Sequence, residues 1–358
     1  MYKKNTWLAP LVASTLLASS HALADPVAPP TVYGLLHVSL DHIDSDIKGE
    51  SAAFNTSTNT SRLGVKGSHQ FDPQLTAIYQ AEATLYATDG ASTGDDKGSN
   101  FTFDRDTYLG FKGDWGTLQV GNINSPIKLL RIRTDLFTSQ VGAAGNITGA
   151  DGQDNWRRNS VYYTSPAFYG FTARAQYSAN SEETGGTQEG RAPAYSASLE
   201  YTYDNFWAGI AYDENKELND NRVRAFRLAA KYDWQDFSFR VFYNHADKKA
   251  LDGGANPPKS DTYGVGLRYL ATEKVALKTQ VHQLRRDNDS KDKATQYAVG
   301  VDYLYAPNLT FYLNYAQVDA DGVYRAPTNA GRSAQIKLAN GNGDETPFAV
   351  SLGTIFKF

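Results

Sequence analysis

Tyr195-Ser196-Ala197-Ser198-Leu199-Glu200-Tyr201-Thr202-Tyr203 alternates without a break. Tyr195, Ala197, Leu199, Tyr201 and Tyr203 fall on one face, and Ser196, Ser198, Glu200 and Thr202 on the other. Successive side chains of an extended strand point to opposite faces, so this stretch reads as a strand with one apolar and one polar side. The same alternation runs outward in both directions. Phe171, Ala173, Ala175 and Tyr177 alternate with Thr172, Arg174, Gln176 and Ser178. Phe226, Leu228, Ala230 and Tyr232 face away from Arg227, Ala229 and Lys231. Phe237, Phe239, Val241 and Tyr243 face away from Ser238, Arg240 and Asn244. It starts near Val32, passes through Leu75–Leu85, and ends with Phe348, Val350, Leu352, Phe356 and Phe358. About 16 such segments can be counted, each about 8 to 11 residues long, which is an even number and the length of a tilted membrane-spanning strand.

The connections also alternate. Tight ones (Phe71-Asp72-Pro73-Gln74, Asp114-Trp115, Asp204-Asn205) are interleaved with long polar ones, such as 41–61, 87–104, 214–223 and 319–346. Short turns at one end and long loops at the other are the asymmetry of an outer-membrane barrel. In hydrocarbon each unpaired backbone group costs several kcal/mol, so the strands must close into a barrel without an edge. The apolar face then meets lipid. The face with Arg, Lys, Glu, Gln, Ser and Thr is too polar for a packed core, and about 16 strands enclose a bore wide enough for water. The fold expected is all-β, a transmembrane antiparallel barrel with an aqueous channel.

The first residues fit a processing signal: Lys3 and Lys4, an apolar run from Leu8 to Ala18, and Ala22-Leu23-Ala24 as a small-x-small cleavage site. Residues 1–24 are expected to be removed, leaving 25–358 as one barrel domain. The apolar run falls short of the roughly 20 residues of a spanning helix. With two lysines gone, the net charge moves from −4 to about −6, which gives no hint of a nucleic-acid partner. The chain has no cysteine, so disulfides and thiolate metal sites are excluded. Its 23 tyrosines and 17 phenylalanines suit aromatic girdles around a wet interior.

One interruption stands apart. Between Gly121 and Arg158 the chain runs about 35 residues, where loops beyond roughly 15 are uncommon unless functional. Its first half holds Ile127, Leu129, Leu130, Ile132, Leu136 and Phe137, enough apolar surface to dock against something. Its second half, around Val141-Gly142-Ala143-Ala144-Gly145, is small and flexible by composition and carries Asp151 and Asp154. It reads as a segment folded into the bore that sets what passes.

Several motifs resemble those of the general porins of Gram-negative outer membranes. Arg62-Leu63-Gly64-Val65-Lys66-Gly67 resembles their second strand. Arg105-Asp106-Thr107-Tyr108-Leu109-Gly110-Phe111-Lys112-Gly113, followed by Gly116-Thr117-Leu118-Gln119-Val120-Gly121-Asn122, resembles their most recognisable segment. Arg158-Asn159-Ser160-Val161-Tyr162-Tyr163-Thr164-Ser165-Pro166 is similar to the strand after their inward loop, and Phe358 to their C-terminal aromatic. The resemblance covers essentially the whole mature chain. It implies a homotrimer of 16-stranded barrels in the outer membrane, with lipopolysaccharide around it and assembly through recognition of Phe358 by the barrel-assembly machinery. It also implies that the third long loop, 123–157, forms a constriction, with Arg62, Arg105 and Arg158 on the wall and acids on the loop. Asp151 and Asp154 are the candidate acids. The Pro-Glu-Phe-Gly-Gly run of some general porins is absent here.

Parity places Arg62, Lys66, Arg158, Arg174, Arg227, Lys231, Arg240, Arg268 and Lys278 inward, against Glu82, Glu200 and Asp302. Lys66, Arg157 and Glu82 join the constriction candidates. An excess of wall cations favours anions, unless these charges sit at the mouths, paired with loop acids and electrically silent. Strict alternation sends Arg105 to the lipid face, where a central Arg costs about 2–4 kcal/mol. It therefore lies either at the rim or beyond a bulge that resets the phase. Trp115, Trp156, Trp207 and Trp234 suit a girdle, with Trp156 also placed to meet a solute.

No cofactor or metal is expected, and the scattered His37, His69, His245 and His282 offer no ligand spacing. The function expected is non-enzymatic diffusion of ions and small hydrophilic solutes. The alternatives are a porin specific for sugars or organic acids, a barrel protease or phospholipase, and a plugged structural barrel.

Overall fold

The computed structural model describes residues 29–44, 52–88, 101–148, 154–180, 193–216, 221–250, 259–287, 293–321 and 346–358. Its strand segments are β1 (Thr31–Asp44), β2 (Ala53–Thr58), β3 (Arg62–Asp72), β4 (Leu75–Leu85), β5 (Phe101–Thr102), β6 (Thr107–Gly113), β7 (Gly116–Asn124), β8 (Trp156–Thr164) and β9 (Phe171–Ser178). They continue with β10 (Ala194–Tyr203), β11 (Phe206–Lys216), β12 (Asn221–Trp234), β13 (Phe237–Ala250), β14 (Ser260–Thr272), β15 (Val275–Arg286), β16 (Lys293–Ala306), β17 (Leu309–Asp321) and β18 (Phe348–Lys357). All pair antiparallel with their neighbours. β2 and β3 run along successive parts of β1, and β5 and β6 along β4, so each pair is one interrupted strand. The result is a closed 16-stranded antiparallel barrel.

Closure is made by β1 and β18, in register from Leu35↔Lys357 to Asp44↔Phe348. The terminal Phe358 completes it: its carbonyl accepts from Gly34 N at 2.9 Å, and its own N–H donates to Gly34 O at 3.1 Å. At the tight ends, Asp204 (φ 48°) and Gln235 (φ 52°) take the left-handed conformation that two-residue hairpins require. Gln74 N donates to Asp72 Oδ1 at 2.7 Å, closing the Asp72-Pro73 turn.

Exposure follows the sequence alternation. On β10 the serines and Glu200 are buried while Tyr195, Ala197 and Leu199 are exposed. The strands outrun the expected length, however, reaching 14 residues in β1, β12, β13 and β16. The added residues are polar, as at His245 and Asp247 of β13. Beyond the apolar band a strand needs only ladder partners, and hydropathy does not mark where pairing stops. Among the described residues no helix is long and apolar enough to cross a membrane.

Between β7 and β8 lie two helices, α1 (Pro126–Thr134) and α2 (Gly145–Thr148). Pro126 opens α1 with a φ already suited to a helix, and Arg131 and Arg133 in the last turn complement the helix dipole. This segment packs on the side of the sheet opposite the exposed apolar residues. Ile127 and Leu130 sit on Ala211, Ala225, Ala229 and Trp207. Phe137 and Val141 sit on Ala298, Ala316, Ala349 and Ile43, and Ile147 on Leu284, Ala294 and Val318. Each fully buried Ile, Leu or Phe is worth about 1.5–3 kcal/mol. The stretch around Val141 is therefore packed, which corrects the reading of it as flexible: small residues are present because the backbone lies close to the wall. Gly142 has φ 81°, and a Cβ there would stand 2.5 Å from the Ala298 Cβ.

Candidate functional site

Three carboxylates on the inner side are each shared by two arginines. The first is Glu82 of β4. Its Oε1 accepts from Arg105 Nε at 2.5 Å, and its Oε2 pairs with Arg62 Nε at 3.3 Å and accepts from Tyr33 Oη at 3.0 Å. Arg105 also lies over the Trp156 ring, 5.0 Å from its centre. Arg105 is inward because β5 and β6 are separate segments: it stands in the break at 103–106, where the phase is reset. Of the two positions left open by the sequence, the structure has the reset.

The second carboxylate is Asp154. Arg227 Nη1 donates to its Oδ1 at 2.6 Å, Arg131 Nε lies 2.8 Å from its Oδ2, and Thr148 Oγ donates to Oδ2 at 2.8 Å. Burial pushes this carboxyl up, but Arg227 and Arg131 outweigh it and hold Asp154 well below the usual carboxylate range. Arg227 also donates to Ile127 O at 2.8 Å and to Asn244 Oδ1 at 3.0 Å, so one guanidinium joins wall, helix and loop acid. Arg131 pairs with Asp135 as well, at 3.2 Å. On the same helix Lys128 lies 2.9 Å from the centre of the Trp156 ring. Burial, with Arg131 beside it, pulls its ammonium well below the usual lysine value.

The third is Glu200 of β10. It accepts from Arg174 Nη1 and from Trp207 Nε1 at 3.1 Å, and pairs with Arg133 Nη1 at 3.2 Å. Arg133 stacks over Trp207, 5.1 Å from the ring centre. Trp207 is thus an inward residue, which corrects its girdle assignment, whereas Trp115 and Trp234 are exposed.

Beyond α1 the segment is held largely by amide groups, joined by Lys278. Gln280 Nε2 donates to Asp135 Oδ1 at 3.0 Å and to Gly142 O at 2.8 Å, and its Oε1 accepts from Leu136 N at 3.0 Å. Gln296 Nε2 donates to Gly142 O at 2.6 Å and to Ala143 O at 3.1 Å. Gln140 Oε1 accepts from Asn314 Nδ2 at 2.9 Å and from Lys278 Nζ at 2.8 Å, and Lys278 also pairs with Asp302 at 2.8 Å.

The sequence candidates therefore separate. Arg62, Glu82 and Arg105 meet. Lys66 lies four residues further along β3, exposed, over the Tyr33 ring at 5.0 Å. Arg157, not Arg158, is the inward-buried residue, 2.7 Å from Asp213. The pairing slips between Gly121 and Ile123, and Asn159 has φ 50°. This bulge shifts the phase that parity assigned to Arg158, which is left half-buried. Asp154 engages Arg131 and Arg227 rather than Arg62, Arg105 or Arg158. Asp151 and residues 1–24 lie outside the described residues. Arg131, Arg133 and Asp135 were not singled out in the sequence, although charged residues inside a segment expected in the bore were a signal. Among the described residues no group of His, Asp and Glu could hold a metal ion.

A closed barrel, apolar outside and charged within, defines a transmembrane channel of the outer-membrane type. The Gram-negative porin family profile matches residues 9–323, and the protein belongs to that family. It is an outer-membrane porin, a passive channel and not an enzyme. It is 25% identical to outer membrane porin protein 32 of Delftia acidovorans, over 90% of this chain and 95% of that one. It is also 25% identical to a chitoporin of Vibrio furnissii, over 72% and 77%. The match to the major outer membrane protein P.IB of Neisseria gonorrhoeae, 29% identical, spans only 55% of that protein's length. Among solved structures, the anion-selective porin from Comamonas acidovorans superposes with a TM-score of 0.78 at 21% identity, covering 92% of this chain and 99% of that one.

Proposed function

We propose that this porin prefers anions, and that the segment between β7 and β8 narrows its bore. The observation that carries this reading is the sharing of single carboxylates: Glu82 serves Arg62 and Arg105, and Glu200 serves Arg133 and Arg174. Each set leaves a net positive charge in a confined space, where rings of cations favour anionic permeants. Arg62, Arg105 and Glu82 form the selective part of the wall. Lys66, Arg157 and Arg158 contribute to its field, and Asp151 and Asp154 join Asp135 among the acids of the segment. The similarity to a porin described as anion-selective supports the same sign.

Residues 1–24 act as a cleaved signal peptide, and 25–358 form the mature barrel. The chain assembles as a homotrimer, in line with a structural relative, OmpT of Vibrio cholerae, solved in a trimer form. Phe358, joined to β1, serves as the assembly signal. Arg222 and Arg224, on the outer face beside Glu214, are placed to meet lipopolysaccharide.

The test is the zero-current potential of the refolded protein in a planar bilayer across a KCl gradient. A potential of the sign for chloride preference, reduced in Arg62→Gln and Arg105→Gln, supports the reading. Potassium preference removes it.

A further inference from the structure

Glu200 has a second consequence, because the arginines around it lie far from Arg62 and Arg105. Arg62 opens β3 at the long-connection end, whereas Glu200 lies three residues from the end of β10, beside the Asp204-Asn205 turn. Arg174 is near the start of β9, and Arg240 near the start of β13. Arg133, in the last turn of α1, completes the group from above. Arg240 Nη1 donates to Arg133 O, and Arg240 Nε to Ser238 Oγ at 3.1 Å.

We propose that Arg133, Arg174 and Arg240 form a binding site for a small oxyanion, a carboxylate or a phosphate, at the short-turn end of the lumen. The inference rests on the reading of an open, anion-preferring bore. Its grounds are charge, preorganisation and access. Arg133 and Arg174 share Glu200, an excess of one positive charge, and Arg240 joins them through its bond to Arg133 O. Glu200 is 5% exposed and accepts from Arg174, Trp207 and Ser198 while paired with Arg133, so it is screened behind the arginines. Arg133 is fixed by the Trp207 ring and by Glu200, yet its side chain is 49% exposed. A guanidinium carries five N–H donors in a rigid fork, and one donor of Arg133 is engaged at Glu200. The rest of a planar fork suits two oxygens of one ligand, a geometry that a spherical chloride does not use. A solute that has passed the Glu82 region meets this group before leaving.

The experiment is single-channel recording of the refolded full-length protein in KCl, with inorganic phosphate, and separately succinate, added on each side. Saturable block, stronger from the short-turn side, is the expected result, and the more potent of the two anions identifies the ligand class. Arg133→Gln and Arg174→Gln are expected to weaken the block about tenfold, since each removes charge-assisted hydrogen bonds. Arg133→Lys keeps the charge and loses the fork, so it should hold the KCl zero-current potential while still weakening the block. Current that falls only linearly with either anion, or saturable block unchanged in Arg133→Gln, would overturn the site while leaving an anion-preferring channel intact. A wild-type channel that prefers potassium would remove the anion reading, and the site with it.

Discussion

The segment between β7 and β8 is held at its two ends by different chemistry. The α1 end is ionic: Arg227 and Arg131 converge on buried Asp154, and Arg131 reaches Asp135. The tip is held largely by neutral groups: Gln280, Gln296 and Asn314 bind it, and Phe137, Val141 and Ile147 rest on alanines and other small apolar residues of the wall. A buried ion pair contributes little net stability when intact but is costly to break by removing one partner. Amide bonds and apolar contacts lose smaller increments and are insensitive to pH. One end should therefore fail abruptly and the other by degrees.

Arg227→Ala should have the largest effect. It leaves Asp154 with Arg131 and Thr148 and strips donors from Ile127 O and Asn244. A loss of about 3–5 kcal/mol is expected, the cost of removing one partner from a buried ion pair, read as a lower temperature of heat modification together with unsteady single-channel current. Gly142→Ala attacks the tip instead. A Cβ at φ 81° facing Ala298 should cost about 1–3 kcal/mol, giving a higher mean conductance with α1 still in place. Gln280→Leu, which removes the bonds to Asp135, Gly142 and Leu136, should cost about 1–3 kcal/mol and act in the same direction.

Acid should separate the two ends. The folded state holds Asp154 below its ordinary value, so its ionised form is favoured on folding. Its stabilising contribution is present above about pH 4, the ordinary aspartate value, and is lost as the pH falls through the lowered one. Heat modification measured from pH 7 downward should hold steady to about pH 4 and then weaken, whereas the increment caused by Gln296→Leu, which removes bonds to the Gly142 and Ala143 carbonyls, should not depend on pH. The smallest effect belongs to Lys128→Met. It replaces a buried ammonium with an apolar chain of similar length and should leave stability within about 1 kcal/mol or raise it.

The barrel was legible because alternation is a local property. Tyr195 through Tyr203 declares two faces without reference to any other strand, and the final Phe358 marks the last strand. What was not legible depended on breaks in the period. The gap between β5 and β6 turns Arg105 inward, and the bulge at Asn159 exchanges Arg157 for Arg158. Neither carries a signal in hydropathy. The docking of the segment leaves a trace in the sequence: inward Ala211, Ala225, Ala229, Ala298 and Ala316 make part of a polar face small where another element lies on it. Ionic partners such as Asp154 and Arg227 sit 73 positions apart in sequence, so their meeting is a property of closure and loop path.

The most direct test uses the absence of cysteine from the chain. Ser139→Cys places one thiol on the half-buried tip of the segment, and Ile210→Cys places one on the exposed outer face. Each is treated with a bulky, charged, water-soluble thiol reagent during single-channel recording. A lasting step down in current at Ser139→Cys, with none at Ile210→Cys, is expected if the segment stands in the conducting path. Labelled Ser139→Cys protein that conducts as the unlabelled channel does would contradict it.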